Sequence, residues 1–157
     1  MNRSSNNINK LGNNGLQLIK SFEGFRANPY LDSVKIPTIG YGTILYPSGI
    51  KVSMADSTIT EALAEHYLAF EINQKTAGVE NMVTGSVNQN QFDALVSFAY
   101  NLGLSALHGS TLLRLVNQGD FVNAAHEFTK WDHAGGVQVA GLTRRRLAEQ
   151  QLFLTPV

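Results

Sequence analysis

Cysteine is absent from this chain of 157 residues, and its absence excludes a disulfide framework, a thiolate nucleophile and a cysteine-ligated metal site. Long apolar runs are also missing. No stretch approaches the ~20 apolar residues that span a bilayer, so we expect no stable membrane insertion. Twelve lysines and arginines balance twelve acidic residues. A chain with no excess of positive charge is not expected to bind nucleic acid.

The sequence offers no pattern for a metal or an organic cofactor. Its histidines share no metal-ligand spacing, and no glycine-rich loop is suited to cradling a phosphate group. We therefore expect no cofactor. The histidines are His66, His108, His126 and His133.

We expect no export signal at the N-terminus. Residues 1–14 are rich in asparagine and serine, and they lack the apolar segment of a signal peptide or signal anchor. We expect a flexible lead or a short extra turn there. The chain is 43% hydrophobic and long enough to bury a core as one compact domain or two small lobes.

The first part of the chain combines a helix with a hairpin. Apolar residues at helical spacing predict a helix that Asn14 caps and that runs to about Phe25. Prolines and glycines forbid its continuation and predict a β-hairpin over 29–54. Within that region, residues 47–49 (Pro-Ser-Gly) predict a turn.

The remainder is helical in its periodicity. A capping box formed by Thr58 and Glu61 predicts a long helix to about Thr76, with Gly78 as its stop. Three further helices are predicted from residue 88 onward, and a loop is predicted over 134–141, before a last helix that ends at Leu154. The predicted stops are Gly103 and Gly119, and the predicted caps are Asp120 and Thr143.

Two carboxylates stand out in the hairpin region. Glu23 is placed near the end of the first helix, and Asp32 follows nine residues later on the hairpin, with Thr38 six residues further on. Glycosidic bond cleavage requires two acids that face each other across a cleft. One protonates the leaving oxygen while the other activates water or attacks the sugar.

The whole string E-G-x-R-x-x-x-Y-x-D-x-x-x-x-x-T-I-G-Y-G, from Glu23 to Gly42, resembles the active-site region of the phage-type lysozymes, the endolysin muramidases of tailed phages. The resemblance implies a single catalytic domain with a lysozyme-like, two-lobed α+β fold that is mostly α. The first lobe would span about 15–58, a connecting helix about 59–77 and a helical lobe about 79–157. No separate cell-wall-binding module is expected within this length.

The resemblance also implies an activity: hydrolysis of the β-1,4 bond between N-acetylmuramic acid and N-acetylglucosamine in peptidoglycan. Glu23 would be the general acid, Asp32 would position or deprotonate the water, and Thr38 would help to hold it. Glu23 must keep its proton through partial desolvation, while Asp32 stays ionised. Inversion, which the resemblance implies, needs ~6.5–9.5 Å between the two carboxyl groups, whereas retention needs ~5 Å.

Further segments are expected to bind the sugar. Gly40, Tyr41, Gly42 and Ile44 would do so from the first lobe, although Thr43 stands where certain relatives have histidine. In the second lobe, F-A-Y-N-L-G at 98–103 and the run G-L-T-R-R-R-L-A-E at 141–149 resemble family segments. From these we expect Tyr100, Asn101 and Arg145 to contact substrate. Another arginine of 144–146 would pair with Glu149 along the helix.

Two other functions stay open at this point. A lytic transglycosylase needs the acid but no water-activating Asp32, and a catalytically silent peptidoglycan-binding protein needs neither carboxylate. The expected partner is the peptidoglycan glycan strand, bound by a monomer. The expected location is the host bacterial cytoplasm, until a separate holin releases the protein to the periplasm.

Overall fold

The computed structural model describes residues 8–157, so the first half of the expected lead, residues 1–7, lies outside the described residues. The chain forms two compact units. The hairpin unit is Ile19–Gln74, and the helical unit combines 8–18 with 75–157. Their boundaries fall within two helices, α1 (Asn13–Glu23) and α2 (Glu61–Met82).

The hairpin unit contains the predicted hairpin. Strand β1 (Arg26–Leu31) pairs with β2 (Pro37–Gly40) in antiparallel register, with Tyr30 opposite Thr38. Isolated bridges then join Ile39 to Thr43 and Leu45 to Lys51. The turn predicted over 47–49 is confirmed, because Gly49 donates its backbone N–H to the carbonyl of Tyr46 at 2.9 Å. Gly49 adopts φ +90° there, which glycine supplies without steric cost.

The predicted limits of α1 are wrong at both ends. Asn14 lies inside the helix, and its side chain bonds to Asn90 at 3.1 Å. The cap comes from α3 (Gln89–Leu102), because the carboxylate of Asp93 accepts the backbone N–H groups of Gly12 and Gly15. The helix ends at Glu23, before Gly24, whose φ is +70°.

The limits of α2 also differ from the prediction. The hydroxyl of Thr60, and not that of Thr58, accepts the N–H of Leu63 at the helix start, while the Thr58 hydroxyl donates to the carbonyl of Ala27. Gly78 does not stop the helix. A Cβ at this position would lie 2.6 Å from the Leu104 side chain, so close packing explains a glycine inside the helix.

The helical unit follows the predicted order, with additions. The predicted stop at Gly103 and the predicted cap at Asp120 are confirmed, since Gly103 is the C-cap of α3 and the Asp120 side chain accepts the N–H of Asn123. Thr143 is no cap, because it lies in the first turn of α7. The predicted loop contains a two-stranded ribbon. The remaining elements are α4 (Leu104–His108), α5 (Thr111–Asn117), α6 (Phe121–Glu127), a 3₁₀ turn (Phe128–Lys130), β3 (His133–Ala134), β4 (Val137–Gln138) and α7 (Ala140–Leu154).

The core of the helical unit is a cluster of aromatic rings between α3 and α7. Phe98 is fully buried and contacts the rings of Phe128 and Trp131 edge-on, with centroids 5.9 and 5.3 Å apart. Phe128 in turn packs on Phe153 of α7. Across residues 8–157, each helix is too short or too polar to span a membrane.

Candidate active site

Asp32 and Thr38 both bond to the backbone of Ile36. The carboxylate oxygen Oδ1 of Asp32 accepts the backbone N–H groups of Val34 and Ile36, both at 2.9 Å. The carbonyl of Ile36 accepts the backbone N–H of Asp32 at 3.0 Å and the hydroxyl of Thr38 at 2.8 Å. Both predicted site residues are therefore oriented by Ile36. Oδ1 of Asp32 thus accepts two backbone N–H groups of the turn.

Glu23 ends α1 with its carboxyl group against the backbone of Gly42. A Cβ built on Gly42 would lie 3.0 Å from Oε2 of Glu23, and Gly42 has φ +86°. Glycine is required here both for the backbone angle and for the close approach. The backbone of Gly42 therefore packs against the Glu23 carboxyl group and limits the positions that it can adopt.

Tyr30 connects the two carboxylates electrostatically. Burial raises the pKa of the Tyr30 phenol, and the charges of Glu23 and Asp32 raise it further. The guanidinium of Arg26 lies 4.4 Å from the centroid of the Tyr30 ring and acts in the opposite direction. No role was predicted for Arg26 and Tyr30, although both belong to the motif that contains Glu23 and Asp32.

Tyr41 is held inside the hairpin unit by polar contacts. The residue is 4% exposed, and its hydroxyl donates to the carboxylate of Glu61 at the start of α2. Lys20 of α1 lies over its ring and forms an ion pair with Glu65. Burial, followed by the bond to Glu61, raises the pKa of Tyr41. These contacts tie the residue before Gly42 to both helices.

The neighbouring predicted site residues differ in exposure. Gly40 is buried with φ +65°, and a Cβ there would lie 3.0 Å from that of Ala64, so helix packing accounts for its being glycine. Ile44 is exposed. Thr43 is fully buried and pairs with Ile39 through both backbone groups. Sugar contact by Gly40 and Ile44 stays a prediction.

The helical unit buries two of the three consecutive arginines. Arg146 is fully buried, and its Nε lies 2.8 Å from Oε1 of Glu149. Arg145 is also buried and lies 3.4 Å from Oε2 of the same carboxylate, which further accepts the hydroxyl of Ser97 at 2.5 Å. The predicted pairing of an arginine with Glu149 is confirmed.

Burial opposes both charges of this cluster. It raises the pKa of Glu149 and lowers the pKa of Arg146, while their mutual attraction counteracts both shifts. Arg146 also donates to the side-chain oxygen of Asn101 at 2.8 Å, so Asn101 is held by α7. Tyr100 is half-buried beside it. Substrate contact by Tyr100, Asn101 and Arg145 stays a prediction.

Taken within the hairpin unit, the arrangement suits acid–base chemistry. It provides a carboxyl group at a helix end, a second carboxylate fixed by backbone N–H groups, and a hydroxyl that bonds to the carbonyl of Ile36, one of the same residues. Within residues 8–157, no group of three or more histidine, aspartate or glutamate side chains is placed to hold a metal ion.

Comparison with known proteins assigns the family. Residues 20–149 match the family model described as phage lysozyme. The chain is 46% identical over 143 residues to an endolysin of Bacillus phage B103, an alignment that covers 90% of this chain and 52% of that protein. It is 37% identical over 146 residues to an endolysin of Salmonella phage P22, covering 93% and 99% of the two chains. The chain belongs to the phage lysozyme family.

Family membership agrees with the fold. A solved endolysin structure from Escherichia coli O157:H7 phage FAHEc1 superposes with a TM-score of 0.88 at 38% identity and covers 96% of both chains. The predicted lysozyme-like, mostly helical α+β fold is therefore confirmed. The chain spans about half the length of the Bacillus phage endolysins that it matches. The family match contains all the predicted site residues, from Glu23 to Arg145.

Proposed function

We propose that this chain is a peptidoglycan muramidase of the endolysin type, with one catalytic domain that hydrolyses the β-1,4 bond between N-acetylmuramic acid and N-acetylglucosamine. The observation that carries the proposal is that Asp32 and Thr38 both bond to the backbone of Ile36, in the same unit as a glutamate packed against Gly42.

In the proposed reaction, Glu23 transfers its proton to the glycosidic oxygen as the bond from that oxygen to the sugar C1 breaks. A water attacks C1 from the opposite face and gives its proton to Oδ2 of Asp32. The Thr38 hydroxyl donates to Ile36, so its oxygen keeps lone pairs that can accept a hydrogen bond from this water. Attack from the opposite face inverts the configuration at C1.

The test is the release of soluble fragments from purified peptidoglycan by wild type, Glu23→Gln and Asp32→Asn, with the products identified by mass spectrometry. We expect reducing-end muropeptides from wild type. We expect a loss of about 10²–10⁴-fold in each variant, the usual contribution of one acid or base. Proton NMR of the first-formed anomer tests inversion, and the β-anomer as initial product would contradict it.

The same experiment separates the two alternatives. A lytic transglycosylase would leave 1,6-anhydro ends and keep its activity in Asp32→Asn. A silent binding protein would sediment with peptidoglycan and release nothing in any variant. The fixed orientation of Asp32 favours the hydrolase, because this carboxylate has no catalytic role in the transglycosylase reaction.

We further propose that the protein acts as a monomer on glycan strands and stays in the host cytoplasm until a holin opens the inner membrane. Fractionation of expressing cells, with and without a co-expressed holin, tests this. Enzyme in the cytoplasmic fraction and lysis only with the holin are expected. Lysis without a holin, or enzyme in the membrane fraction, would contradict it. Sedimentation equilibrium tests the monomer.

A further inference from the structure

Glu23 stands at a position where a helix gives its side chain little support. It is the last residue of α1, and Gly24 follows it with φ +70°. Helix ends fray. A proton donor must nevertheless stay close to the oxygen that it protonates, because a misplacement of about 1 Å costs about 100-fold in rate. The contacts that surround this helix end therefore matter for the proposed reaction.

The ring of Tyr41 contacts the chain on both sides of Glu23. Nζ of Lys20, which precedes Glu23 on α1, lies 5.5 Å from the centroid of the Tyr41 ring. The ring of Phe25, which follows Glu23, lies 5.6 Å from the Tyr41 ring, centroid to centroid. Gly42, the next residue after Tyr41, packs against the Glu23 carboxyl group itself. Tyr41 and its neighbour thus contact the glutamate and both of its flanks.

The hydroxyl of Tyr41 is anchored to α2. It donates to the carboxylate of Glu61, the first residue of that helix. The Lys20 ammonium that lies over the ring also pairs with Glu65, one turn further along α2. Through Tyr41, the start of α2 is therefore connected to the end of α1, where Glu23 lies.

The burial of Tyr41 favours a structural partner over a sugar. Only 4% of the residue is exposed. A phenol has one proton to donate, and here that proton already goes to Glu61. The ring is contacted by Lys20 and Phe25. These contacts suit a residue that positions its neighbours better than one that recognises a ligand.

We propose that Tyr41 is a positioning residue, which holds the Glu23 carboxyl group in place by linking the end of α1 to the start of α2. Its hydrogen bond to Glu61 fixes the segment that carries Gly42, and Gly42 limits the positions of the carboxyl group. This inference rests on the proposed muramidase function. It differs from the prediction that Tyr41 contacts the sugar.

The test measures kcat and KM on soluble glycan strands for wild type, Tyr41→Phe and Tyr46→Phe. Each variant loses one phenol hydroxyl that donates to a carboxylate of the hairpin unit, Glu61 or Asp56, so Tyr46→Phe is the matched control. We expect Tyr41→Phe to lose about tenfold in kcat at unchanged KM, because a misplaced catalytic group slows the reaction without weakening substrate binding. The control should keep both constants, although the melting temperature should fall similarly in both variants.

Substitutions of Glu61 provide a second readout. Glu61→Gln keeps an oxygen that can accept the hydrogen bond of the phenol, so it should keep most of kcat. Glu61→Ala should lose about tenfold, as Tyr41→Phe does. The two changes combined should cost no more than either alone, because both break the same bond.

The outcomes separate the positioning role from its alternatives. A rise in KM at unchanged kcat in Tyr41→Phe would assign the residue to sugar binding and overturn the proposal. An equal loss of kcat in Tyr46→Phe would also overturn it, because the loss would then follow from a general weakening of the hairpin unit. Losses that add in the double variant would show that Tyr41 and Glu61 act separately and would overturn it too. A wild type that cleaves no strand would instead refute the muramidase function.

Discussion

The two units differ in where they place their polar groups. The helical unit buries polar groups in its core: Arg146 and Glu149 are fully buried, as is the ring of Phe98. The hairpin unit uses carboxylates near its surface to fix its turns. Asp32 holds the turn between the strands. The comparison shows that interior packing shapes one unit, while local hydrogen bonds shape the unit that holds the candidate acid–base residues.

The largest predicted effect tests the packed unit. Phe98→Ala removes a fully buried ring that contacts Phe128 and Trp131, and we expect the free energy of unfolding to fall by about 3–5 kcal/mol. Phe25→Ala removes a ring of the hairpin unit that is 37% exposed and should cost only about 1 kcal/mol. Urea denaturation followed by circular dichroism measures both. Similar losses of stability in the two variants would contradict the view that interior packing matters more in the helical unit than in the hairpin unit.

The second prediction concerns the buried ion cluster. Glu149→Ala leaves Arg145 and Arg146 buried without their carboxylate, and removing one partner of a buried pair costs about 3–5 kcal/mol. In the hairpin unit, Glu65→Ala removes the partner of Lys20 at a position open to water, so its effect on the denaturation midpoint should be much smaller. Equal midpoint shifts in the two variants would show that burial does not set the strength of these pairs.

The third prediction separates two effects in the hairpin unit: the loss of stability caused by backbone strain, and the loss of activity caused by displacing Glu23. Gly42→Ala strains a residue at φ +86° and pushes a methyl group to 3.0 Å from the Glu23 carboxyl. Gly49→Ala imposes the same kind of strain at φ +90°, but its Cβ meets no atom within 4 Å. Both variants should lose similar stability. Only Gly42→Ala should lose activity on peptidoglycan, by about 10–100-fold, the usual cost of a misplaced catalytic group.

The sequence predicted the elements that depend on neighbouring residues. The turn at Gly49, the end of α3 at Gly103 and the cap at Asp120 all rest on contacts within a few residues. Such signals are readable because the backbone angle or the capping oxygen is specified locally.

Where an element depends on residues that are distant in the sequence, the prediction was wrong. The start of α1 is capped by Asp93, some eighty residues further along the chain, and Gly78 stays helical because the Leu104 side chain fills the space beside it. No local pattern reveals either contact. The same holds for the candidate site. Its residues were predicted from a motif, but only the structure shows that the backbone N–H and carbonyl of Ile36 orient Asp32 and Thr38.

The smallest predicted effect is the pH dependence of the stability that one hydrogen bond contributes to the hairpin unit. The Tyr46 hydroxyl donates to Asp56 at 2.7 Å, and burial, aided by this bond, raises the pKa of Tyr46 to about 12. The unfolded phenol ionises near pH 10, so the folded state holds its proton more strongly. Its contribution to stability is complete below pH 10 and is lost as the pH rises through about 12.

Tyr46→Phe removes this contribution at every pH. The difference in free energy of unfolding between wild type and variant should therefore be constant from pH 7 to about 9 and shrink from about pH 10 to about 12. Urea denaturation at each pH gives the difference, and phenolate absorbance reports the ionisation. A difference that stays constant up to pH 12 would mean that Tyr46 ionises equally in both states. In that case the bond to Asp56 would contribute nothing specific to the hairpin unit.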